Sequence, residues 1–143
     1  MIHLILGGAR SGKSAFAEQT VLNQCEKPVY IATATAIDSE MQSRITHHQQ
    51  LRGNKWTLYE CPLGLTDLLA TELKNSTAQP HYLVDCLTLW LNNLIFTYDS
   101  QLQASHYQPT SEEYEQISSA IDQALTLFLA QLARFKYLHT NIT

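Results

Sequence analysis

Short apolar runs rich in β-branched residues alternate along this chain with stretches of helical periodicity. Ile2 to Leu6 predicts a strand, followed by the glycine-rich GGARSG and a helix from about Lys13 to Gln24. Pro28 marks a boundary before a second extended run, Val29 to Thr33. Asp38 is placed as an N-cap for a helix through about Arg52, with Met41, Ile45 and His48 on one face and Gly53-Asn54 ending it. Trp56 to Cys61 predicts a third strand, and Leu65 to Leu73 a helix with apolar residues at 65, 68, 69 and 73. The polar stretch KNSTAQP leads to a fourth strand, Tyr82 to Asp85, and then to a helix carrying Leu87, Trp90, Leu91, Leu94 and Ile95. A polar loop over 98–109 precedes Thr110 and Glu113, which form a capping box for a long helix over about 110–135. Its predicted apolar stripe is Tyr114, Ile117, Ile121, Leu125, Phe128 and Leu132.

Strands alternating with helices predict an α/β fold with a largely parallel sheet. Strands buried on both faces of such a sheet read as continuous apolar runs, and Leu4-Ile5-Leu6 and Tyr82-Leu83-Val84 read that way. The length of 143 residues, with no repeat, low-complexity tract or linker, predicts one domain over 1–143.

Composition narrows the function. The net charge of −4 supplies no basic stripe for nucleic acid. The start MIHLILGG lacks the basic and apolar regions of a signal peptide, and no apolar run approaches a membrane span, so a cytoplasmic protein is expected. Cys25, Cys61 and Cys86 are odd in number and far apart, which suits small buried thiols better than a disulfide framework or a metal site.

The chemistry begins at Gly7-Gly8-Ala9-Arg10-Ser11-Gly12-Lys13-Ser14, a complete G-x-x-x-x-G-K-[ST] pattern directly after a strand and opening a helix. Its glycines let successive backbone N–H groups turn toward phosphate oxygens, and the helix N-terminus adds partial positive charge. Lys13 is placed to reach the β- and γ-phosphates of a triphosphate, and Ser14 to ligate Mg²⁺. Asp85, ending YLVD, is placed either as a carboxylate for Mg²⁺ or nucleotide, or as a cap for the next helix.

His47 and His48 are adjacent on the 38–52 helix, so their side chains diverge by about 100° and cannot share one task. Three readings stay open from spacing: a solvated helix face, a metal site, or a neutral imidazole that attacks phosphorus.

GGARSGKS, then YIATAT, then DSEMxxRIxxHH, then LVDCLTLWLNNL occur in one order, and together they resemble the bifunctional adenosylcobinamide kinase/adenosylcobinamide-phosphate guanylyltransferase family of cobalamin biosynthesis. The resemblance runs from residue 1 to about residue 97. It implies a RecA-like P-loop nucleoside triphosphate hydrolase fold, GTP and ATP as substrates with Mg²⁺, adenosylcobinamide and its phosphate as acceptors, and a homotrimer. It also implies that His47 carries GMP as a covalent intermediate, with Lys13 in the catalytic machinery. Nucleotide contacts are implied at Gly7 to Ser14, at Thr33, Ala34 and Thr35, at His48, Gln49, Gln50 and Leu51, and at Glu60 and Asp85. A carboxylate at Glu60 suits guanine, because it accepts from both N1–H and the 2-amino group; otherwise it is a surface charge at a strand end.

The same resemblance implies further strands after the long helix. The expectation is a sheet short of its C-terminal strands, with an atypical tail over about 134–143 in which KYLHTNIT is a strand candidate of modest apolarity. Two alternatives stand beside the bifunctional enzyme: another small-molecule kinase with the same loop, and a nucleotide-binding remnant without turnover.

Overall fold

The structure, a computed structural model, describes residues 1–8, 10–35, 53–75, 80–98, 108–135 and 137–142. The helix predicted over 38–52, with both histidines, lies outside the described residues. Five strands form one sheet: β1 (Ile2–Leu6), β2 (Val29–Ala32), β3 (Thr57–Glu60), β4 (Tyr82–Asp85) and β5 (Leu138–Ile142). Among the described residues four α-helices accompany them: α1 (Lys13–Leu22), α2 (Leu65–Asn75), α3 (Leu87–Tyr98) and α4 (Ser111–Leu132). The spatial order is β1-β5-β4-β2-β3, and every neighbouring pair is parallel. This is the α/β architecture that the alternation predicts.

Alternation of side chains along each strand sorts the core into two layers. Ala17 and Val21 of α1 pack on Tyr30 and Leu83, flanked by Ile5, Ala32 and Trp56. The opposite face carries Val29, Ile31, Tyr82, Val84 and Leu138 against Leu65 and Leu69 of α2, Trp90 of α3 and Phe128 of α4. The long helix starts as expected: Glu113 N–H donates to Thr110 Oγ1 at 3.3 Å, and Thr110 N–H donates to Glu113 Oε2 at 2.7 Å.

Two expectations change. Leu4-Ile5-Leu6 reads as a strand buried on both faces, but β1 lies at the edge of the sheet, and α1 covers only the face of Ile5. Ile2, Leu4 and Leu6 point the other way and are 45%, 54% and 68% exposed. Among the described residues β1 therefore has one neighbour, β5, and one covered face. The marginal tail, by contrast, contains an interior strand. Leu138, His139 and Thr140 are buried, and β5 pairs with β1 on one side and β4 on the other. Of the cysteines, Cys86 is buried, whereas Cys25 and Cys61 are half-buried.

Burying β5 places imidazoles in the interior. His139 Nδ1 lies 3.1 Å from His3 Nδ1, so one ring must donate a proton and the other accept it. His81 stacks on His139 with centroids 5.7 Å apart and on Tyr137 at 4.2 Å, and its buried Nδ1 has no hydrogen-bond partner among the described residues. Burial, reinforced by His3, His81 and the N-terminal ammonium, lowers the pKa of His139 to about 4. Burial, then the N-terminal ammonium and His3, also lowers that of His81.

The sign of the linkage follows. These rings are neutral in the folded chain, while the unfolded chain takes up their protons below about pH 6.5. Stability should therefore fall as pH drops from about 6.5 toward 4. The check is the urea midpoint between pH 7 and 5, where most carboxylates stay ionised. It should decline for the parent chain and decline less for His139→Gln; a midpoint flat across that range in the parent refutes the assignment.

Candidate nucleotide-binding site

All five strands run in one direction, so their exits share one rim. At the β1 exit the chain turns through residues 7–12 into α1. Arg10 and Gly12 adopt left-handed backbone, φ 57° and 82°, which folds the loop back on itself. Ser11 N–H donates to Gly8 O at 3.3 Å, and Lys13 Nζ reaches across the loop to the same carbonyl at 3.2 Å. Gly12 is the N-cap of α1 and brings no side chain to its first-turn N–H groups, nor does an acidic residue stand in that turn. Those donors are the feature that makes a helix start an anion site. Gly7 is packed closely, since a Cβ there would stand 2.6 Å from Ser11 Oγ, whereas Gly8 has open space around it. Ala9 lies outside the described residues.

Further along the rim, Ala32 is in register with both Glu60 and Asp85, which puts the two carboxylates level on either side of β2. With strands spaced about 4.8 Å apart, Asp85 stands two strands from β1, about 10 Å, and Glu60 four strands away, about 19 Å. The hydroxyl of buried Tyr30 donates to Asp85 Oδ2 and orients that carboxylate.

Thr33 follows β2 and is fully buried. Its Oγ1 donates to Cys86 O at 2.7 Å and accepts from Cys86 N–H at 2.8 Å. The Thr33 hydroxyl thus ties the β2 exit to the β4 exit, while Ala34 and Thr35 extend beyond it on the rim. From α3, Asn93 Nδ2 donates to Thr33 O at 2.9 Å and to Pro62 O at 3.0 Å, and Trp90 Nε1 donates to Leu63 O at 3.0 Å.

The structure therefore gathers Gly7, Gly8, Arg10 to Ser14, Thr33 to Thr35, Asp85 and Glu60 on one rim. His47, His48, Gln49, Gln50 and Leu51 lie outside the described residues. Sequence reasoning did not single out Tyr30 or Asn93. The one available signal for Asn93 was an amide three residues after Trp90, on the same side of the helix.

A parallel α/β sheet with this loop at a strand exit defines a protein of the P-loop class. The chain belongs to the cobinamide kinase / cobinamide phosphate guanyltransferase family, whose sequence profile matches residues 3–135. It is 46% identical over 101 residues to the bifunctional adenosylcobalamin biosynthesis protein CobP of Pseudomonas aeruginosa, covering 71% of this chain and 57% of that relative. It is 33% identical over 134 residues to the bifunctional adenosylcobalamin biosynthesis protein CobU of Salmonella typhimurium, covering 94% of this chain and 69% of the relative. The Escherichia coli protein of the same name is 31% identical over the same length. The match to the Pseudomonas protein thus spans little more than half of that relative. Among the described residues, no helix is long and apolar enough to cross a membrane.

The Thr33 tie can be tested by stability. Thr33→Val keeps the shape and removes the oxygen, which leaves the buried Cys86 N–H without its partner; Cys86 O still accepts from Trp90 N–H. The expected loss is about 1–3 kcal/mol in urea unfolding, the cost of one unsatisfied buried donor, whereas Thr33→Ser, which keeps the oxygen, should retain most of the parent's stability. Equal stability of the valine and parent chains contradicts the tie.

Proposed function

We infer that the chain binds a nucleoside triphosphate along this rim and supports two transfers: phosphorylation of adenosylcobinamide, and guanylylation of the product through a histidine. The observation that carries this reading is the complete loop from Gly7 to Ser14 on the same rim as Asp85, Thr33 to Thr35 and Glu60, in a member of this family.

In the first transfer, a hydroxyl oxygen of the aminopropanol arm attacks the γ-phosphorus. The bond to the β–γ bridging oxygen breaks, a nucleoside diphosphate leaves, and the hydroxyl proton passes to solvent. Such a transfer requires chiefly positioning and charge neutralisation, which the loop N–H groups and Lys13 supply. In the second, a nitrogen of neutral His47 attacks the α-phosphorus of GTP and pyrophosphate leaves. A phosphate oxygen of adenosylcobinamide phosphate then attacks the guanylyl phosphorus, frees the imidazole and yields adenosylcobinamide-GDP. Splitting the transfer at a covalent histidine replaces one difficult step with two easier ones. Backbone N–H groups that hold the β- and γ-phosphates also suit the departing pyrophosphate.

Ser14 and Asp85 offer a hydroxyl and a carboxylate, hard oxygen donors of the kind Mg²⁺ takes, and Tyr30 holds that carboxylate in place. Mg²⁺ held there would neutralise phosphate charge. Glu60, at the far end of the rim, is the carboxylate proposed for guanine. Other assignments carried by the resemblance, including His48 to Leu51 and a trimeric assembly, belong to the same proposal.

The test is GTP labelled at the α-phosphate. Acid-labile label should appear on the parent chain and be absent from His47→Ala, while Lys13→Ala should lose at least tenfold in labelling rate, the effect of about 1.4 kcal/mol. Only the neutral ring attacks, so the rate should fall as pH drops through the histidine range near about 6.5. Persistent label in His47→Ala, or a rate unchanged from pH 8 to 5, overturns the histidine route.

A further inference from the structure

Where the β2–β3 ladder stops, a side chain takes over from it. The last backbone bond between these strands is Cys61 N–H to Ala32 O at 2.8 Å. One residue beyond Ala32 on one strand, and two beyond Glu60 on the other, stand the carbonyls of Thr33 and Pro62. Asn93 donates to both from a single amide nitrogen, at 2.9 and 3.0 Å. Both partners can only accept, so the amide must present its nitrogen, and its orientation is fixed by chemistry. On the other side Thr33 is bound twice to Cys86, next to Asp85. Asp85, the β2 exit and the segment just after Glu60 are thereby joined into one chain of hydrogen bonds.

We propose that Asn93 is a positioning residue for base selection: it holds the β2 and β3 exits at the separation that presents Glu60 to guanine. The proposal rests on the reading of Glu60 given above. Asn93 touches backbone carbonyls, not Glu60 itself, and works by fixing the main chain on the C-terminal side of that carboxylate. The phosphate loop lies at the other edge of the sheet, built from β1 and α1, neither of which contributes to the Asn93 bonds. A defect at Asn93 should therefore separate base discrimination from phosphate affinity. An amide that only supported the fold would move both together.

The experiment measures binding of GTP, ATP and inorganic tripolyphosphate to the full chain by calorimetry, for the parent, Glu60→Gln, Asn93→Asp and Asn93→Leu. The aspartate replaces the donating nitrogen with an oxygen facing two carbonyls, and the leucine removes the donor at similar volume without that repulsion. In both Asn93 variants the preference for GTP over ATP should fall by roughly tenfold, the change expected from misaligning a hydrogen bond to a charged group. Tripolyphosphate affinity should stay within about twofold of the parent, a change of less than half a kcal/mol.

A GTP preference retained in both variants overturns the proposal while leaving the guanine reading of Glu60 intact. Parallel loss of GTP and tripolyphosphate binding, or failure of both variants to fold, also overturns it by reducing Asn93 to a support of the fold. A parent chain without GTP preference, or one whose preference survives Glu60→Gln, removes the guanine reading first and this proposal with it.

Discussion

At the carboxyl rim of a parallel sheet the ladder runs out, and the last N–H and C=O groups of each strand need partners that no neighbouring strand supplies. The rim here satisfies that need with side chains. Thr33 closes the gap between β2 and β4, Asn93 the gap between β2 and β3, and Trp90 takes the next carbonyl along, that of Leu63. The groups that would bind a ligand stand among these closures, so their spacing follows from how backbone polarity is satisfied at the sheet's end. Losing one closure both leaves a buried backbone group unpaired and releases a stretch of rim.

The insertion of β5 sets the other dimension. By standing between β1 and β4 it keeps the phosphate loop and Asp85 two strand spacings apart. Its burial brings in His139 between β1 and β4, along with a Thr140 hydroxyl that finds no partner among the described residues. Neutral imidazoles serve there because a ring nitrogen can accept while its neighbour donates, which lets His3 and His139 meet at 3.1 Å. The cost is sensitivity to acid, which a strand of aliphatic residues would not carry.

The parts of this molecule legible in the sequence are those governed by local rules. Gly12 is needed where φ is 82°, a capping box needs Thr110 and Glu113 three apart, and the apolar stripe of α4 repeats along one helix from Ile117 onward, though its predicted first member, Tyr114, is 59% exposed; each of these rests on short-range spacing. What escaped depends on partners far away in sequence. Leu4-Ile5-Leu6 reads like an interior strand because apolarity reports burial potential, whereas the number of neighbours a strand has is a property of the whole sheet, and among the described residues β1 pairs only with β5. LHTNI reads like a marginal strand because His139 and Thr140, two of its three polar members, find their setting only between β1 and β4. Asn93 meets Thr33 from sixty positions away, and nothing in the local spacing of α3 reports that.

The width of the sheet also bears on the proposed chemistry. Asp85 lies about 10 Å from the loop strand and Glu60 about 19 Å, so the two carboxylates cannot serve the same part of one nucleotide. On the proposed function, phosphates held at β1 and a base held at β3 stretch the nucleotide across the rim, and its α-phosphorus falls between the two ends. That is the atom a nucleotidyl transfer must expose, while phosphoryl transfer works on the γ end inside the loop. A triphosphate held only by its phosphates would suffice for phosphoryl transfer, whichever base it carried. Anchoring the far end matters for guanylyl transfer, where misplacing the attacked phosphorus by an ångström is costly. The hydrogen bonds that fix the β3 exit therefore bear more on guanylyl transfer than on phosphorylation, and one sheet can hold the two reactions to different demands on the base.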